Sequence, residues 1–502
     1  MKSFRRIVFF VVFLCVTMFV NAQSSHFERI EMPDSDVEYY SCIPFDECIL
    51  LKLTDDTKQT GRKNTVFTFQ KYDTVFQYKS LADVTLQTKR SAILEYTTKD
   101  AHYSLSYQIS GTYTISVVSV KDLSVQYLHG KLPKSTSVVS LRAIGGYVYL
   151  LGYTKDLPFL LIQNEKTQVT QLGKIIPLNK NRFSIMSFEV NDETGEAYLF
   201  TKDVLKNDNL IKFYIYKDGV KTFETIVKTN DEDKYIVSAS ASRLSDGTCI
   251  ISGTYGNISK NTHSSVGIFI LKLGSNGEKI SMRYINYLDI ENFTSYLSAR
   301  KQERIEKKQD KMQAQNKELE LAFMMYPHKI IEQNGEYVLV GEAYYPTYRQ
   351  ECQYITTTNG QTMHCYQVFD GFQYTHFFLL GFNEQGDLLW SNSEPLYINE
   401  KPFSVTHFLS VNQKNPNVQL VYSSWNKIFI YDFNNGEKIR TDEISYVTDE
   451  ERLLTSVSKN IHWYGNTFLS YGKQMIKNKD DKMKRKVFFI EKIEIPTKNG
   501  TY

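Results

Sequence analysis

One short sequence pattern recurs along this chain: an apolar, aromatic-rich run, a polar turn containing Gly or Asn, and a second alternating run. Clear copies of the first run and its turn occupy residues 268–277, 377–387 and 428–436. A unit that cannot bury its own apolar face must stack on copies of itself. The repeat therefore predicts the architecture before any functional site is considered.

Strong runs of this kind follow one another at intervals of about 40 to 60 residues, with one longer interval. The eight clearest are residues 66–69, 113–117, 159–162, 213–216, 268–273, 377–382, 428–433 and 487–490. Most are preceded by further strand-like runs, and the abundant Tyr and Phe are typical of β-sheet proteins. Several strands per unit at this period indicate an all-β β-propeller, with eight blades favoured over seven.

The two ends of the chain offer a way to close the ring. The last unit lacks a clear fourth strand, and the strand-like run at residues 26–32 has no partner of its own. Pairing this run with the last unit would leave no long exposed sheet edge. We therefore predict that the first and last strands share one blade.

The first residues have the pattern of a secretory signal peptide. Lys2, Arg5 and Arg6 precede an apolar stretch at residues 7–20, and Val20-Asn21-Ala22 fits a signal-peptidase site. The stretch is shorter than the roughly 20 residues that a membrane-spanning helix needs, so a signal is favoured over an anchor. We predict a signal peptide at residues 1–22 and a single propeller domain at residues 23–502, exported and without a membrane span in the mature chain.

Charge gives no indication of a nucleic-acid partner. The formal net charge of the whole chain is +3, and removal of a leader with three basic and no acidic residues lowers it to zero. Long-range attraction to nucleic acid or to an anionic surface is therefore not predicted.

The cysteines predict two disulfides in an exported chain. Cys42 and Cys48 are close in sequence, as are Cys352 and Cys365, and an oxidising compartment would bridge both pairs. Cys249 is left over in an apolar run that reads as an inner strand, so a buried thiol is favoured over a nucleophile.

Residues 295–323 depart from the strand pattern. They contain no Gly or Pro, are dense in charge, and place opposite charges three or four apart, as in Glu303 and Lys307. This predicts one long helical insertion, with a solvated helix favoured over a coiled-coil or partner-binding one. Three apolar residues in it recur every seven positions: Ile305, Met312 and Leu319.

A second insertion, residues 344–376, is rich in aromatic side chains and is the best candidate for a binding site. Aromatic faces suit a sugar ring or an extended peptide. The alternative is that the rings pack on one another to stabilise an insertion without a core. The candidate residues are Tyr345, Tyr348, Arg349, Tyr366, Phe369, Asp370, Phe372 and Tyr374.

Catalytic and cofactor motifs are not found. The histidines are scattered, no pair has zinc-ligand spacing, and neither a Gly-x-Ser-x-Gly elbow nor a phosphate-binding glycine loop occurs. Residues 245–248 have only a partial likeness to the aspartate box of propeller sialidases, and a turn accounts for them better. No metal and no cofactor are predicted. Catalytic carboxylates that converge from distant blades leave no sequence trace, so an enzyme stays open as the less favoured alternative.

The leader end Asn21-Ala22-Gln23 and the run at residues 383–390 resemble those of exported propeller-like proteins of Bacteroidota. The resemblance implies a periplasmic or cell-surface location and carries over no functional residues. We predict a non-catalytic binding or scaffold propeller of the cell envelope that recognises a protein or a glycan. The alternative is a propeller hydrolase or lyase that acts on a polysaccharide.

Overall fold

The strands of this chain form eight antiparallel sheets in the part that the structure describes. The structure is a computed structural model, and it describes residues 27–33, 40–54, 64–87, 91–108, 110–179, 182–205, 208–228, 234–244, 246–257, 264–333, 335–357, 360–412, 417–447, 450–479 and 484–495. The predicted leader at residues 1–22, His26 and Ser245 lie outside these ranges. Each sheet is one blade, and together the blades confirm the predicted β-propeller and the favoured number of eight.

The strands are numbered along the chain, and the first four blades follow one another after β1 (Phe27–Pro33). Blade 1 is β2 (Tyr40–Phe45), β3 (Cys48–Thr54), β4 (Asn64–Asp73) and β5 (Tyr78–Gln87). Blade 2 is β6 (Ser91–Thr97), β7 (Ala101–Gln108), β8 (Thr112–Ser119) and β9 (Val125–Lys131). Blade 3 is β10 (Thr136–Ile144), β11 (Tyr147–Thr154), β12 (Leu157–Asn164) and β13 (Thr170–Gly173). Blade 4 is β14 (Phe183–Asn191), β15 (Glu196–Leu205), β16 (Asp208–Lys217) and β17 (Val220–Lys228).

In blades 5 and 6 two short segments together take the place of the first strand. Blade 5 is β18 (Lys234–Ile236), β19 (Ser240–Arg243), β20 (Cys249–Asn257), β21 (Gly267–Leu273) and β22 (Lys279–Asn286). Blade 6 is β23 (Met324–Pro327), β24 (Ile331–Gln333), β25 (Glu336–Thr357), β26 (Gly360–Phe382) and β27 (Leu388–Pro395). Blade 7 is β28 (Ser410–Asn412), β29 (Val418–Ser424), β30 (Lys427–Asn434) and β31 (Glu437–Ser445). Blade 8 is β32 (Glu451–Tyr464), β33 (Thr467–Asn478), β34 (Lys484–Glu494) and β1.

The eight apolar runs found in the sequence all lie in the third strand of a blade. Second and third strands have a neighbour on each side within the sheet and a neighbouring blade on each face, so their residues are buried on both faces. All seven residues of β29 are buried, for example. Fourth strands have one exposed face and alternate, as β5 does, and this pattern is weaker in the sequence.

The ring closes as predicted, because β1 pairs antiparallel with β34 from Phe27 opposite Ile493 to Pro33 opposite Val487. Ile30 and Met32 pack on the cluster that contains Phe488. The backbone hydrogen-bonding groups of β1 and of the outer edge of β34 thus pair with each other, so neither strand leaves this edge unpaired.

The first strands of the blades lie innermost and line a central channel, since β6 contacts β10, β10 contacts β14, and β28 contacts β32. Successive strands run in opposite directions. The connections from second to third strands and from one blade to the next therefore lie on one face of the ring. We call this the hairpin face, because it carries the β25–β26 connection. The first-to-second and third-to-fourth connections lie on the opposite face.

The predicted helical insertion is present on the hairpin face but is shorter than the range predicted from sequence. Helix α1 (Ala299–Gln313) spans about 22 Å at 1.5 Å per residue, and none of its residues is buried. Ser298 precedes it with extended dihedrals, and Asn316 adopts a positive φ of 53° soon after it ends. The predicted boundaries at residues 295 and 323 are therefore too wide, because a turn precedes the helix and an irregular segment follows it.

The predicted Cys42–Cys48 disulfide is wrong. Both thiols are free and buried, and the β2–β3 register places Cys42 opposite Leu51 and Cys48 opposite Phe45. Cys42 packs towards blade 8 and Cys48 packs with side chains of blades 1 and 2, so the two thiols lie on opposite faces of the sheet. Closeness in sequence does not bring two cysteines together when the hairpin separates their faces. Cys249 is a buried free thiol, as predicted.

Candidate functional site

The aromatic segment of blade 6 is a long hairpin made by extending the second and third strands. Strands β25 and β26 pair from Tyr337 opposite Phe382 to Thr357 opposite Gly360. Their neighbours end early, because β23 pairs no further than Tyr344 and β27 pairs no further than His376. Residues 345–357 and 360–375 therefore project as a two-stranded ribbon. The predicted insertion at residues 344–376 is a continuation of the blade rather than a separate unit.

A disulfide joins the two strands of this ribbon. Cys352 and Cys365 are cross-strand partners and are bonded, which confirms this part of the cysteine prediction. An isolated two-stranded ribbon is marginally stable in water, so a covalent link between its strands supports the paired conformation.

A row of rings runs along one face of the ribbon from the core of blade 6 outwards. Tyr374 and Phe372 form its inner part: Tyr374 is buried and donates its hydroxyl to Thr406 O at 2.5 Å, and Phe372 packs against the same cluster. The row continues to Phe369, which lies 5.0 Å from Phe372 between ring centroids, and to Tyr348, 6.0 Å from Phe369. The inner rings are structural, and the outer ones are accessible.

The other predicted aromatic residues lie on the reverse face. Tyr366 is three residues from Phe369 along one regular strand, and Tyr345 directly follows Tyr344, which contacts Phe372. Because side chains alternate along a strand, Tyr366 and Tyr345 point away from the row. The eight predicted residues are thus divided between two faces and do not form one surface.

The connection from blade 6 to blade 7 lies beside the row of rings. Phe372 N donates to Pro402 O at 2.9 Å, and the Phe403 ring lies 5.9 Å from Phe369. Asp370 accepts from Lys401 Nζ at 2.9 Å and lies 3.9 Å from Arg349 Nη1. Of these two predicted residues, Asp370 therefore joins the ribbon to the connection, and Arg349 pairs with Asp370 within the ribbon.

The outer rings form an exposed apolar edge. Tyr348 is 58% exposed, Phe403 is 74% exposed, and Phe369 between them is half-buried. We call Tyr348, Phe369 and Phe403 the aromatic edge.

A cavity of about 320 Å³ opens beside the aromatic edge, between blades 7 and 8. Its polar lining includes Glu400, Lys401, Lys459 and Asn460, and His407 forms part of its wall. Burial raises the pKa of Glu400, and the Lys459 ammonium opposes this rise. The cavity thus offers charged and amide groups next to exposed rings.

His407 also belongs to a cluster that the fold assembles from distant positions. His328 Nε2 lies 2.8 Å from Glu342 Oε1, and His407 Nδ1 lies 3.0 Å from the same oxygen. The His407 ring stacks at 3.9 Å on Tyr326 and lies 3.8 Å from the His328 ring. His328 follows β23, Glu342 lies on β25, and His407 precedes β28, so the cluster joins blades 6 and 7 at the channel.

The buried carboxylate of this cluster is held in a fixed orientation. Phe408 N donates to Glu342 Oε2 at 2.9 Å, and Leu409 N donates to Oε1 at 3.3 Å. Burial opposes ionisation, but the hydrogen bonds and charges of the two histidines outweigh it and lower the pKa of Glu342. Burial also lowers the pKa of His328.

Further charged side chains lie on the innermost strands of blades 3 and 4. Burial raises the pKa of Glu189 on β14, which accepts from Ser240 Oγ at 3.1 Å, while Lys329 and Arg142 oppose the rise. Arg142 on β10 lies with its guanidinium 5.1 Å from the centre of the Tyr96 ring. The innermost strands of several blades thus contribute polar side chains to one channel.

Sequence reasoning missed the cluster because its members are far apart in the chain. His328 and Glu342 are separated by 14 residues, and Glu342 and His407 by 65. The prediction of no metal rested on the lack of local ligand spacing, and the spacing of residues from different blades carries no such signal.

A larger cavity of about 560 Å³ lies on the opposite face, between the turns of blades 2 to 4. Within it Tyr103 donates to Glu165 Oε1 at 2.9 Å, and burial raises the pKa of Glu165. It lacks the exposed rings and the histidines of the hairpin face.

Helices of the described residues give no candidate for a membrane span, since none is both long and apolar enough.

Comparison with known proteins identifies no family for the chain. No protein-family model matches the chain, and no curated protein matches it. Among solved structures it is similar to the polysaccharide lyase Uly1, with a TM-score of 0.36 and 9% identity over 80% of this chain and 89% of that one. It is also similar to the β-propeller domain of the Trilobed protease from Pyrococcus furiosus, with a TM-score of 0.35 and 8% identity over 79% and 97%. Both superpositions are too loose to bear on function.

Proposed function

We propose that this chain is a non-catalytic, glycan-binding propeller of the cell envelope. The observation that carries the proposal is the aromatic edge of Tyr348, Phe369 and Phe403 beside the cavity of the hairpin face. A sugar ring has an apolar C–H face and a rim of hydroxyl groups. The exposed rings suit the first, and Glu400, Lys401 and Asn460 in the cavity suit the second.

The proposed envelope location is supported by the disulfide of the ribbon. Cys352 and Cys365 are both exposed, and exposed disulfides persist in oxidising compartments outside the cytosol. The predicted signal peptide at residues 1–22 agrees with this location.

Binding to a panel of neutral and acidic polysaccharides, measured by calorimetry, tests the proposal. We take the polysaccharide of the panel that binds the wild type most tightly. We expect the double variant Tyr348→Ala, Phe403→Ala to bind it at least about tenfold more weakly, because stacking on exposed rings contributes on the order of 1 kcal/mol per ring. Tyr78→Ala is the matched control, since Tyr78 is similarly exposed but begins β5 on the opposite face. Failure to bind any polysaccharide, or equal loss in the control, would contradict the proposal.

The contact between His407 and Glu342 favours a second candidate, a hydrolase or lyase that acts on the same polysaccharide. A partly exposed imidazole that is oriented by a buried carboxylate is a common arrangement for proton transfer. A fall in polysaccharide viscosity with the purified protein, abolished by His407→Ala, would replace the non-catalytic proposal with this one.

A further inference from the structure

We propose that His328, Glu342 and His407 form a binding site for a divalent first-row transition-metal ion, with Zn²⁺ as the ion that fits best. Within the described residues these three side chains bring one ligand atom each to within 4.8 Å of one another. Each comes from a different stretch of blades 6 and 7, so only the folded ring assembles the set.

The donor set selects the class of ion. Two imidazole nitrogens and one carboxylate oxygen are a ligand set that proteins use for Zn²⁺. Imidazole suits Zn²⁺ and its neighbours in the first transition row, whereas Ca²⁺ and Mg²⁺ require oxygen ligands. A hard cation is therefore not expected here.

The spacing of the ligand atoms requires little adjustment. Metal bonds of about 2.0 to 2.1 Å place neighbouring ligand atoms about 3.0 to 3.5 Å apart. The distances from Glu342 Oε1 are 2.8 Å to His328 Nε2 and 3.0 Å to His407 Nδ1. The two imidazole ligand atoms lie within 4.8 Å of each other. A shift of the two rings away from Glu342 would accommodate an ion between the three atoms.

Without a cation, Glu342 Oε1 has more donors than it can accept well. His328 Nε2, His407 Nδ1 and Leu409 N all lie within 3.3 Å of it. A carboxylate oxygen offers about two lone-pair sites, so three donors compete for them. A metal ion replaces the two imidazole protons and leaves Leu409 N as the remaining donor.

The surroundings hold the ligands as they do in known metal sites. Ligating carboxylates are commonly fixed by further hydrogen bonds, and Glu342 Oε2 accepts from Phe408 N at 2.9 Å. The backbone of His328 is held in place, because its amide N–H donates to Val340 O at 2.8 Å. The Tyr326 ring stacks on His407 and limits its rotation.

The cluster also has an entry path. The His407 side chain is 32% exposed and lines the cavity of the hairpin face, whereas Glu342 is fully buried. An ion would therefore enter from the side of His407, and its fourth coordination position would face the cavity, where a water molecule can occupy it.

The test is Zn²⁺ uptake by the full-length protein after treatment with a chelator and dialysis. Calorimetry and elemental analysis of the wild type are expected to give one bound Zn²⁺ per chain. His407→Gln and Glu342→Gln are expected to bind at least tenfold more weakly. His129→Ala is the matched control, since His129 is exposed, stacks on Tyr127 and has its Nδ1 at 3.2 Å from the Thr114 hydroxyl.

Folding of the variants is checked by circular dichroism, and His407→Gln decides the result because its side chain is partly exposed. Zn²⁺ should raise the melting temperature of the wild type and of His129→Ala but not that of His407→Gln. Uptake well below one equivalent in the wild type, or uptake that His407→Gln leaves unchanged, would overturn the proposal. The readout is metal uptake, so its failure would leave glycan binding untouched.

Discussion

Glu491 is a carboxylate that ring closure places in a largely buried position. It lies on β34, and Arg29 of β1 approaches it with Nη1 at 3.2 Å from Oε2. Arg29 Nη2 also donates to Gln474 Oε1 at 2.8 Å. Burial raises the pKa of Glu491 to about 7, and the Arg29 guanidinium opposes the rise. The seam between the two ends of the chain thus contains a group that titrates near neutral pH.

Replacement of Glu491 by Gln should reduce the pH dependence of stability. A folded-state pKa above the unfolded one means that the folded state holds the proton more tightly. Stability from this group is therefore greatest below the unfolded pKa of about 4.5 and is lost as pH rises through about 7, by on the order of 3 kcal/mol. Urea unfolding at pH about 5 and about 8 measures the difference, which should be smaller in Glu491→Gln.

The matched control is Glu494→Gln, an exposed carboxylate at the end of the same strand. It should retain the pH dependence of the wild type. If the free energy of unfolding changed equally between the two pH values in the wild type and in Glu491→Gln, burial of Glu491 would not be the cause of the pH dependence.

At the scale of elements, the irregular segment after α1 contributes more to packing than the helix itself. Ile305 and Met312 lie on α1 and are half-buried, whereas Leu319 lies beyond its end and is buried. Asn286 Nδ2 donates to Leu319 O at 2.9 Å, and Phe323 forms a bridge with Ser265. The spacing of seven residues in the sequence therefore does not reflect one helical stripe.

Alanine substitutions should separate these three positions. Leu319→Ala is expected to lower the free energy of unfolding by about 2 to 3 kcal/mol, because it leaves a cavity in a packed site. Ile305→Ala and Met312→Ala are expected to change it by less than about 1 kcal/mol, because no residue of α1 is buried. Chemical unfolding measures all three. A cost at Ile305 equal to that at Leu319 would mean that α1 packs against the ring.

At the scale of the whole molecule, closure depends on one short strand. Deletion of Phe27–Pro33 exposes the edge of β34, so the shortened chain should melt at a lower temperature and associate through that edge. Differential scanning calorimetry and size-exclusion chromatography measure both effects. A chain that begins at residue 25 is the control, and equal melting temperature and monomeric behaviour in the two chains would refute this account of closure.

The sequence predicts this fold well because a propeller repeats its strongest signal. Third strands such as β21 and β30 are buried on both faces, so each blade contributes one apolar run that can be recognised in the sequence. The candidate site is predicted only in part. Tyr348, Phe369 and Asp370 belong to a conspicuous aromatic segment, but Phe403 lies outside it, in the connection between β27 and β28.

The histidine cluster has no local signal at all. His328, Glu342 and His407 converge only when blades 6 and 7 are placed side by side. The two cysteines of β2 and β3 show the converse, since Cys42 and Cys48 are neighbours in sequence and are parted by the sheet. Which side chains come into contact depends on the direction of each strand and on the sheet face that each side chain occupies. Both are set by the arrangement of the blades in the closed ring.

The pairing of β1 with β34 also orients the molecule. Phe27 begins β1 opposite Ile493, near the end of β34, so the chain enters and leaves the propeller at neighbouring points. Alternation of strand direction places both points on the face away from the ribbon. Attachment through residues before Phe27 or after Glu494 would therefore leave the aromatic edge and the cluster of His328, Glu342 and His407 lying towards the face that points away from the attachment point.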